Sequence, residues 1–484
     1  MLSDSQRAII ADHPSSTDSP PIWNARAPRT VLVLASRFPP VASVGATRVR
    51  KFVKYLGLYG WKPIVITGAM RRENSTSQEA RRSTDEESLL DLPEGLPVHR
   101  LSPVLDHWPT HFSRAAANRL ASSTGWLGLD TARWEAGLNW RFQKIHDRLS
   151  FPDRGIWRLG SALRLALRLH DRYRFDAIFS SGMPFSDHVV ALAVRSVLRR
   201  PWLADFRDPW VEYIHWRQWR SELGRRMTRW AEAAVVARAS AVISVNDPMC
   251  RRFATRYSTG DGEKFVTISN GFDPVDYKQT TQPKTHSHFR LVYAGSLYKT
   301  RSPAKVIEAF RLFLHQTPGS RDHARFEFLG RPGPHSDLLN DPGDADTVHY
   351  LGMCSHAAAS RALADADLNV VVLPNVPGSE NDTTTKIYES LGSGRSILAA
   401  VPLNGAAASV LRPFDGVTLC DPDDVPAIAR GMTDCYRRWL SGTVNVSRSQ
   451  AALEPLTRRH QAGKLAACLD QAVRETALVG GAPS

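Results

Sequence analysis

The sequence predicts an α/β chain of two doubly wound domains facing each other across a cleft, on three observations. Short apolar runs alternate with helical patterns twice over, in 29–275 and again in 289–455. These runs are continuously aliphatic rather than alternating, the texture of strands buried on both faces of a parallel sheet. At 484 residues the chain also exceeds one ordinary core, since domains hold about 100 to 200 residues.

In chain order, residues 1–28 are polar and rich in Ser, Pro and Asp without a period, and read as a disordered tail. RTVLVLASRFPP (29–40) is a buried strand stopped by Pro39 and Pro40; a helical stretch (46–60) and the strand WKPIVITG (61–68) complete a βαβ unit. Residues 101–160 hold Trp108, Trp126, Trp134, Trp140 and Trp157, assigned to helices and long connections. Strands resume at FDAIFSSG (175–182), PWLADF (201–206), ASAVISV (239–245) and KFVTIS (264–269). Residues 276–288 turn polar, as a linker does. The second unit has strands FRLVYAGS (289–296), RFEFLGRPG (325–333), VHYLG (348–352), LNVVVLP (368–374), SILAAVP (396–402) and GVTLC (416–420), and 456–484 form a terminal helix and tail. Ligands of such sheets bind beyond the carboxyl ends of the strands, which places the site in the cleft.

Composition narrows the function. Hydrophobic residues at 42% exclude disorder along the whole chain, and five scattered cysteines without a CxxC pair give neither a zinc knuckle nor a disulfide framework. The first thirty residues lack the apolar stretch of a signal peptide, and no apolar run approaches the roughly 20 residues that cross a bilayer, so a cytoplasmic chain is expected. The formal charge of +14 suits nucleic acid, an anionic bilayer or phosphorylated small molecules, or simply keeps the protein soluble. No phosphate loop, GxGxxG, HExxH or GxSxG motif occurs. The DxD pairs Asp344/Asp346 and Asp365/Asp367 resemble metal-diphosphate ligands, but the second precedes its strand and sits at the wrong edge; no metal is expected.

The densest local signal is NDTTTKIYESLGSGRSILAAVP (381–402). Thr383, Thr384 and Thr385 offer an amino-terminal cap, and free amides at a helix start attract a diphosphate. Lys386 lies in the first turn and Glu389 three residues on shares its face, which suits a phosphate and a ribose diol, or an ordinary exposed Lys-Glu pair.

This segment resembles the nucleotide-binding helix of GT-B glycosyltransferases of the family 4-like group. FPPVASVGATRVRKFVKYLGLYGWKPIVITG (38–68), FDAIFSSGMPFSDHVVALAV with PWLADFRDPW (175–210), and ISNGFDP with LVYAGSLYKTRSP (268–303) agree in order, so the resemblance spans roughly 30–455. It implies the GT-B fold, two Rossmann-like domains, with 29–275 as acceptor domain and 289–455 as nucleotide-sugar donor domain. It implies Glu389 on the ribose, Arg301 and Lys386 on the diphosphate, Gly45 in the first-domain loop near the phosphates, and Gly295, Ser296, Thr384 and Thr385 lining the donor. Two positions depart: Asn381 stands where the family has a first glutamate, missing or replaced by Glu380, and Ser296 where many relatives carry arginine.

In the first domain, Asp205, Arg207 and Asp208 of DFRDPW follow a strand and so emerge toward the cleft; they either position an acceptor hydroxyl or phosphate or form a loop-fixing salt bridge. His188 is a cleft residue or a helix-cap or core histidine. In 210–230, Trp216, Trp219, Leu223, Met227 and Trp230 recur at helical spacing among arginines, fitting an anionic bilayer or, slightly better, an aromatic stripe buried in the core. Arg164, Arg168 and Arg172 read as a solvated face. The expected function is retaining transfer of a sugar from a nucleoside diphosphate to an acceptor hydroxyl, with a lipid-linked saccharide as leading acceptor, no cofactor, and peripheral membrane contact. A nucleotide-sugar epimerase or non-catalytic binder is the alternative; nucleic acid, lacking any reading motif, is not an expected partner.

Overall fold

The computed structural model describes residues 28–68, 85–101, 150–212, 221–257, 262–280, 287–443 and 446–480. The tail 1–27, the tryptophans 108, 126, 134 and 140, and Trp216 and Trp219 lie outside the described residues. Two wholly parallel sheets form the framework: seven strands in the order β3-β2-β1-β4-β5-β6-β7 and six in the order β10-β9-β8-β11-β12-β13. In both, the chain starts in the interior, builds outward to one side, then crosses to the other. The switch points are therefore β1/β4 and β8/β11.

In the first domain the strands are β1 (Arg29–Leu34), β2 (Trp61–Thr67), β3 (Val98–Arg100), β4 (Ala177–Gly182), β5 (Trp202–Phe206), β6 (Ala241–Ser244) and β7 (Phe265–Thr267). Its helices are α1 (Val44–Leu56), α2 (Leu159–Tyr173), α3 (Ser186–Leu198), α4 (Glu222–Arg238) and α5 (Asp247–Tyr257). The aliphatic runs became strands because both sheet faces are covered: Leu32 and Leu34 enter one core with Trp202 and Val235, while Val31 and Val33 enter another with Val49 and Phe52. The three-residue β3 was not anticipated, since Val98 to Arg100 carries no apolar run. The Arg164, Arg168 and Arg172 side is exposed, as read from the sequence.

The second domain has strands β8 (Phe289–Ala294), β9 (Ala324–Leu329), β10 (Val348–Gly352), β11 (Leu368–Val372), β12 (Ser396–Ala400) and β13 (Val417–Cys420). Its longer helices are α6 (Ala304–Gln316), α7 (His356–Ala364), α8 (Thr385–Gly392), α9 (Ala406–Leu411) and α10 (Val425–Leu440). Leu291 and Tyr293 face a core closed by α6 and α10, and Val292 faces the opposite side with Leu363.

The terminal helix α11 (Arg458–Gly480) returns to the first domain. Ala462, Leu465, Ala466, Leu469 and Ala472 are buried with Val53 and Leu56 of α1. Trp61 Nε1 donates to Asp470 Oδ1 at 2.8 Å, and Arg29 pairs with the same carboxylate at 3.2 Å. Both crossings between the domains lie side by side, because Phe272 N donates to Leu456 O at 3.1 Å and Arg458 N to Phe272 O at 2.8 Å.

Leu469→Ala leaves a void against α1 and is expected to lower stability by about 2 to 5 kcal/mol, read as the shift of the urea unfolding midpoint.

Candidate functional site

The second domain brings its predicted residues together at the β8/β11 switch point. β8 ends at Ala294, and Gly295 follows at φ +146°. A Cβ on Gly295 would lie 1.7 Å from Lys386 Cε, so the absence of a side chain is what lets the lysine run across this turn. Lys386 is buried in the first turn of α8, its Nζ 5.2 Å from the centre of the Tyr293 ring. Burial pushes the Lys386 amine well below its ordinary pKa; the neighbouring Arg301 adds to this and Glu389 opposes it. Arg301 sits in the turn after β8, where it bridges with Tyr298, and its Nε is buried without a hydrogen-bond partner among the described residues. Ser296 contributes its carbonyl, which accepts from the Tyr293 hydroxyl at 3.3 Å. Glu389 faces the same region half-buried, and its carbonyl accepts from Tyr277 at 3.0 Å.

The threonine cap differs in detail from expectation. Thr384 is the N-cap of α8 with extended backbone, but its side chain makes no capping bond. The Thr384 side chain therefore does not compete for the first amides of the helix, although Ile387 N donates to Thr384 O at 3.3 Å. Thr383 is held from the other domain: Asn246 Nδ2 reaches its Oγ1 at 3.3 Å and the carbonyl of Asn381 at 2.8 Å.

The first-domain residues correct several expectations. Asp205 does not face the cleft: it is fully buried, and both oxygens are engaged, by Arg48 at 2.8 and 3.1 Å and by the Ser181 hydroxyl at 2.7 Å. Burial alone would raise its carboxyl pKa, but Arg48 outweighs burial and holds it below the usual range. Arg48 in turn donates to the carbonyls of Ile268 and Ser269 at 2.8 and 2.9 Å, so this pair ties β5 to the chain leaving β7. Asp205 is thus structural, the salt-bridge reading of that motif. Arg207 folds back on its own neighbourhood, donating from Nε to Gly182 O at 2.9 Å and from Nη2 to Met183 O. Its guanidinium lies against Gly45, where a Cβ would come within 1.6 Å of Nη1. Arg207 braces the Gly45 loop rather than reaching for an acceptor phosphate.

His188 is likewise a core histidine. It is fully buried, hydrogen-bonded through Nδ1 to Ser180 Oγ at 2.8 Å, and packed 4.5 Å from the Phe206 ring centre; burial lowers its pKa to about 3. Next to it in sequence, the unanticipated Asp187 does reach the carboxyl edge. Ser36, just beyond β1, donates to it from its backbone N at 2.7 Å and from its hydroxyl. With Arg158 and Thr67 it lines a small recess of about 10 Å³ beside the β1/β4 switch point. Burial pushes the Asp187 carboxyl up to about 6, against Arg158 and the Ser36 bonds.

Across the cleft, the second-domain Asp382 feels Arg301 together with the first-domain Asp208 and Arg252. Crowding by protein pushes its carboxyl up to about 6, although the residue keeps an exposed surface. Asp382 was not singled out in the sequence, being hidden between Asn381 and the threonines. Glu380 is turned elsewhere: it accepts from Gly378 N at 2.8 Å and from Asn381 Nδ2 at 3.0 Å. With Arg251, Arg252 and Ser409 it lines an interdomain opening of about 430 Å³, which none of Gly295, Arg301, Lys386 or Glu389 borders. The DxD aspartates are engaged at the other end of the fold, Asp344 by Arg311 at 2.5 Å and Asp367 by Arg290 N at 2.8 Å. Among the described residues, one carboxylate group has metal-like spacing, Asp91, Asp273 and Asp276, and it is neutralised by Lys51 and Lys54 at 2.5 to 2.9 Å.

Residues 129–276 match the sequence profile of Glycosyltransferase Family 4. A search of curated proteins finds no match. Among solved structures, HepE of Anabaena, crystallised with UDP and glucose, is similar over 94% of this chain and 100% of its own, at 15% identity and a TM-score of 0.51. The α,α-trehalose-phosphate synthase (UDP-forming) of Burkholderia xenovorans, in complex with glucose-6-phosphate, matches 91% of this chain and 100% of its own at 13% identity, TM-score 0.54. The sucrose-phosphate synthase of Thermosynechococcus elongatus matches 94% and 100% at 15% identity, TM-score 0.51. Identities this low show the fold, which is the GT-B arrangement of two Rossmann-like domains.

Between the unfolded carboxyl pKa of about 3.9 and its folded value of about 6, Asp187 holds a proton that the unfolded chain has shed. Its contribution to stability is expected to fall by up to about 1.4 kcal/mol per pH unit as pH rises through that window, and Asp187→Asn to flatten the slope, as read from urea midpoints across the window.

Proposed function

We propose that this GT-B fold chain, whose residues 129–276 match the Glycosyltransferase Family 4 profile, transfers a sugar from a nucleoside diphosphate donor to an acceptor hydroxyl with retention at the anomeric carbon. The observation that carries this reading is the buried Lys386 amine beside the Arg301 guanidinium, at the carboxyl-edge switch point and at the start of α8. Two cationic groups brought together in a desolvated turn form a diphosphate site, since an anion relieves the repulsion between them.

The reaction then follows from charge. As the bond from the anomeric carbon to the diphosphate breaks, negative charge gathers on the departing oxygen. Arg301, Lys386 and the α8 amides lie where that charge develops. Glu389, on the same helix, binds the ribose diol. The acceptor hydroxyl attacks from the first-domain side, where Asp208 is close enough to the opposing Asp382 to help raise its carboxyl pKa. Gly45, whose missing side chain leaves room for the Arg207 guanidinium, is held in the first-domain loop that the proposed reaction sets beside the phosphates. Closure of the domains excludes the water that would otherwise hydrolyse the donor.

A lipid-linked saccharide in the synthesis of surface polysaccharide is the proposed acceptor. The formal charge of +14 supports an anionic setting for it, at the cytoplasmic face of the cell membrane. The proposed contact is peripheral; no described helix is long and apolar enough to cross a membrane.

Lys386→Ala and Arg301→Ala are each expected to lower donor consumption at least about a hundredfold with the fold intact by circular dichroism. Wild-type rates in both would overturn the assignment. NMR of the product's anomeric configuration tests retention, and assays with and without acceptor separate transfer from epimerisation. A diphosphate beside Lys386 favours its charged form and so opposes the downward pull of burial, and over the pH range in which the free amine loses its proton UDP binding is expected to take up protons and to weaken as pH rises, measured by calorimetry in buffers of different ionisation enthalpy.

A further inference from the structure

We infer that the outer face of α4 is a docking surface for an anionic lipid bilayer. The helix is held to the first domain by Thr228, Ala231, Glu232, Val235 and Val236, all buried. On the opposite side stand Leu223, Met227 and Trp230, which are 67%, 39% and 72% exposed. Spacings of four and three residues put them on one stripe. The sequence had slightly favoured a core position for this stripe; the helix is rotated so that small residues face the core and the large ones face out. Other exposed large apolar side chains among the described residues stand singly, such as Leu351 and Leu440, or as adjacent pairs, Leu58 with Tyr59 and Leu89 with Leu90.

Charge selects the occupant. Arg225, Arg226 and Arg229 flank the stripe with side chains 45%, 73% and 53% exposed. The exposed acid beside them, Glu222, is already shared among all three, at 2.6, 3.5 and 3.3 Å. Arg226 and Arg229, which share the single carboxylate of Glu222, leave a net positive border beside an apolar ridge, with a tryptophan whose ring suits the headgroup level. A protein surface would need its own acidic rim matched to this helix, whereas an anionic bilayer supplies diffuse negative charge above apolar depth. Geometry also favours the site. In a parallel sheet the helix after β5 starts at the carboxyl edge, so Ser221, the N-cap of α4, lies toward the edge from which Asp208 emerges. A chain docked on this face has its cleft mouth beside the lipid surface. The inference deepens the proposed lipid-linked acceptor and rests on it for its consequence, but it is tested by binding alone.

The test is co-sedimentation of the full chain with vesicles of phosphatidylcholine alone and of phosphatidylcholine mixed with phosphatidylglycerol. Binding is expected for the anionic vesicles only, and to weaken as salt is raised. Leu223→Ser with Trp230→Ser, and separately Arg226→Glu with Arg229→Glu, are each expected to lower vesicle binding at least about tenfold. Both pairs are solvent-facing, so thermal melting and the UDP-induced thermal shift should stay at wild-type values. Failure of the wild-type chain to sediment with anionic vesicles overturns the inference, as does undiminished binding by both double variants. A wild-type dimer in sedimentation velocity that the Leu223/Trp230 variant dissolves would also overturn it, assigning the face to a second copy. Loss of UDP binding in the wild type would instead count against the transfer reading.

Discussion

A lysine amine kept out of water next to a guanidinium is the constraint on which the rest of the site depends. Burial disfavours the ammonium and the guanidinium adds to this, while Glu389 opposes it, so the fold must hold the lysine in place. Backbone geometry does much of the holding. Gly295 gives the lysine passage where any other residue would collide with it, and Gly330, at φ +123°, packs behind with a Cβ position only 2.5 Å from Gly295 O. The aromatic face of Tyr293 accepts the ammonium from below. These parts come from β8, the residue after β9 and the start of α8, which the sheet order makes neighbours.

The first domain solves a different problem with a similar device. Its buried Arg48 is fully matched: Asp205 takes two of its donors and the backbone after β7 takes others. A paired charge of this kind fixes geometry and leaves little chemistry to offer. That contrast separates the two halves. Matched ions sit under the first domain's loops and shape them, while the less matched cations of the second domain are available to a ligand.

Much of the framework was legible in the sequence because parallel strands buried on both faces write themselves as uninterrupted aliphatic runs. The runs at 29–40, 175–182 and 289–296 became β1, β4 and β8 for that reason. The convergence of Gly295, Arg301 and Lys386 was reached through resemblance, and the structure adds how Gly295 makes it sterically possible. What local reading missed depends on distant partners. Asp205 lies within β5 rather than beyond it, and Arg48, 157 positions earlier, claims it. Asp187 went unread because its partner Ser36, just beyond β1, lies 151 positions away in the chain. The rotation of α4 was not legible either, since periodicity defines a stripe but not the side it faces.

The return of α11 has a mechanical meaning. The polypeptide passes between its halves twice, and the two strands of passage are bonded to each other at Phe272, Leu456 and Arg458. A single thread would permit twisting and sliding as well as bending. Two adjacent threads clamped together act like a door hinge with a fixed pin, so that opening and shutting retrace one arc and the two rims meet again in the same alignment.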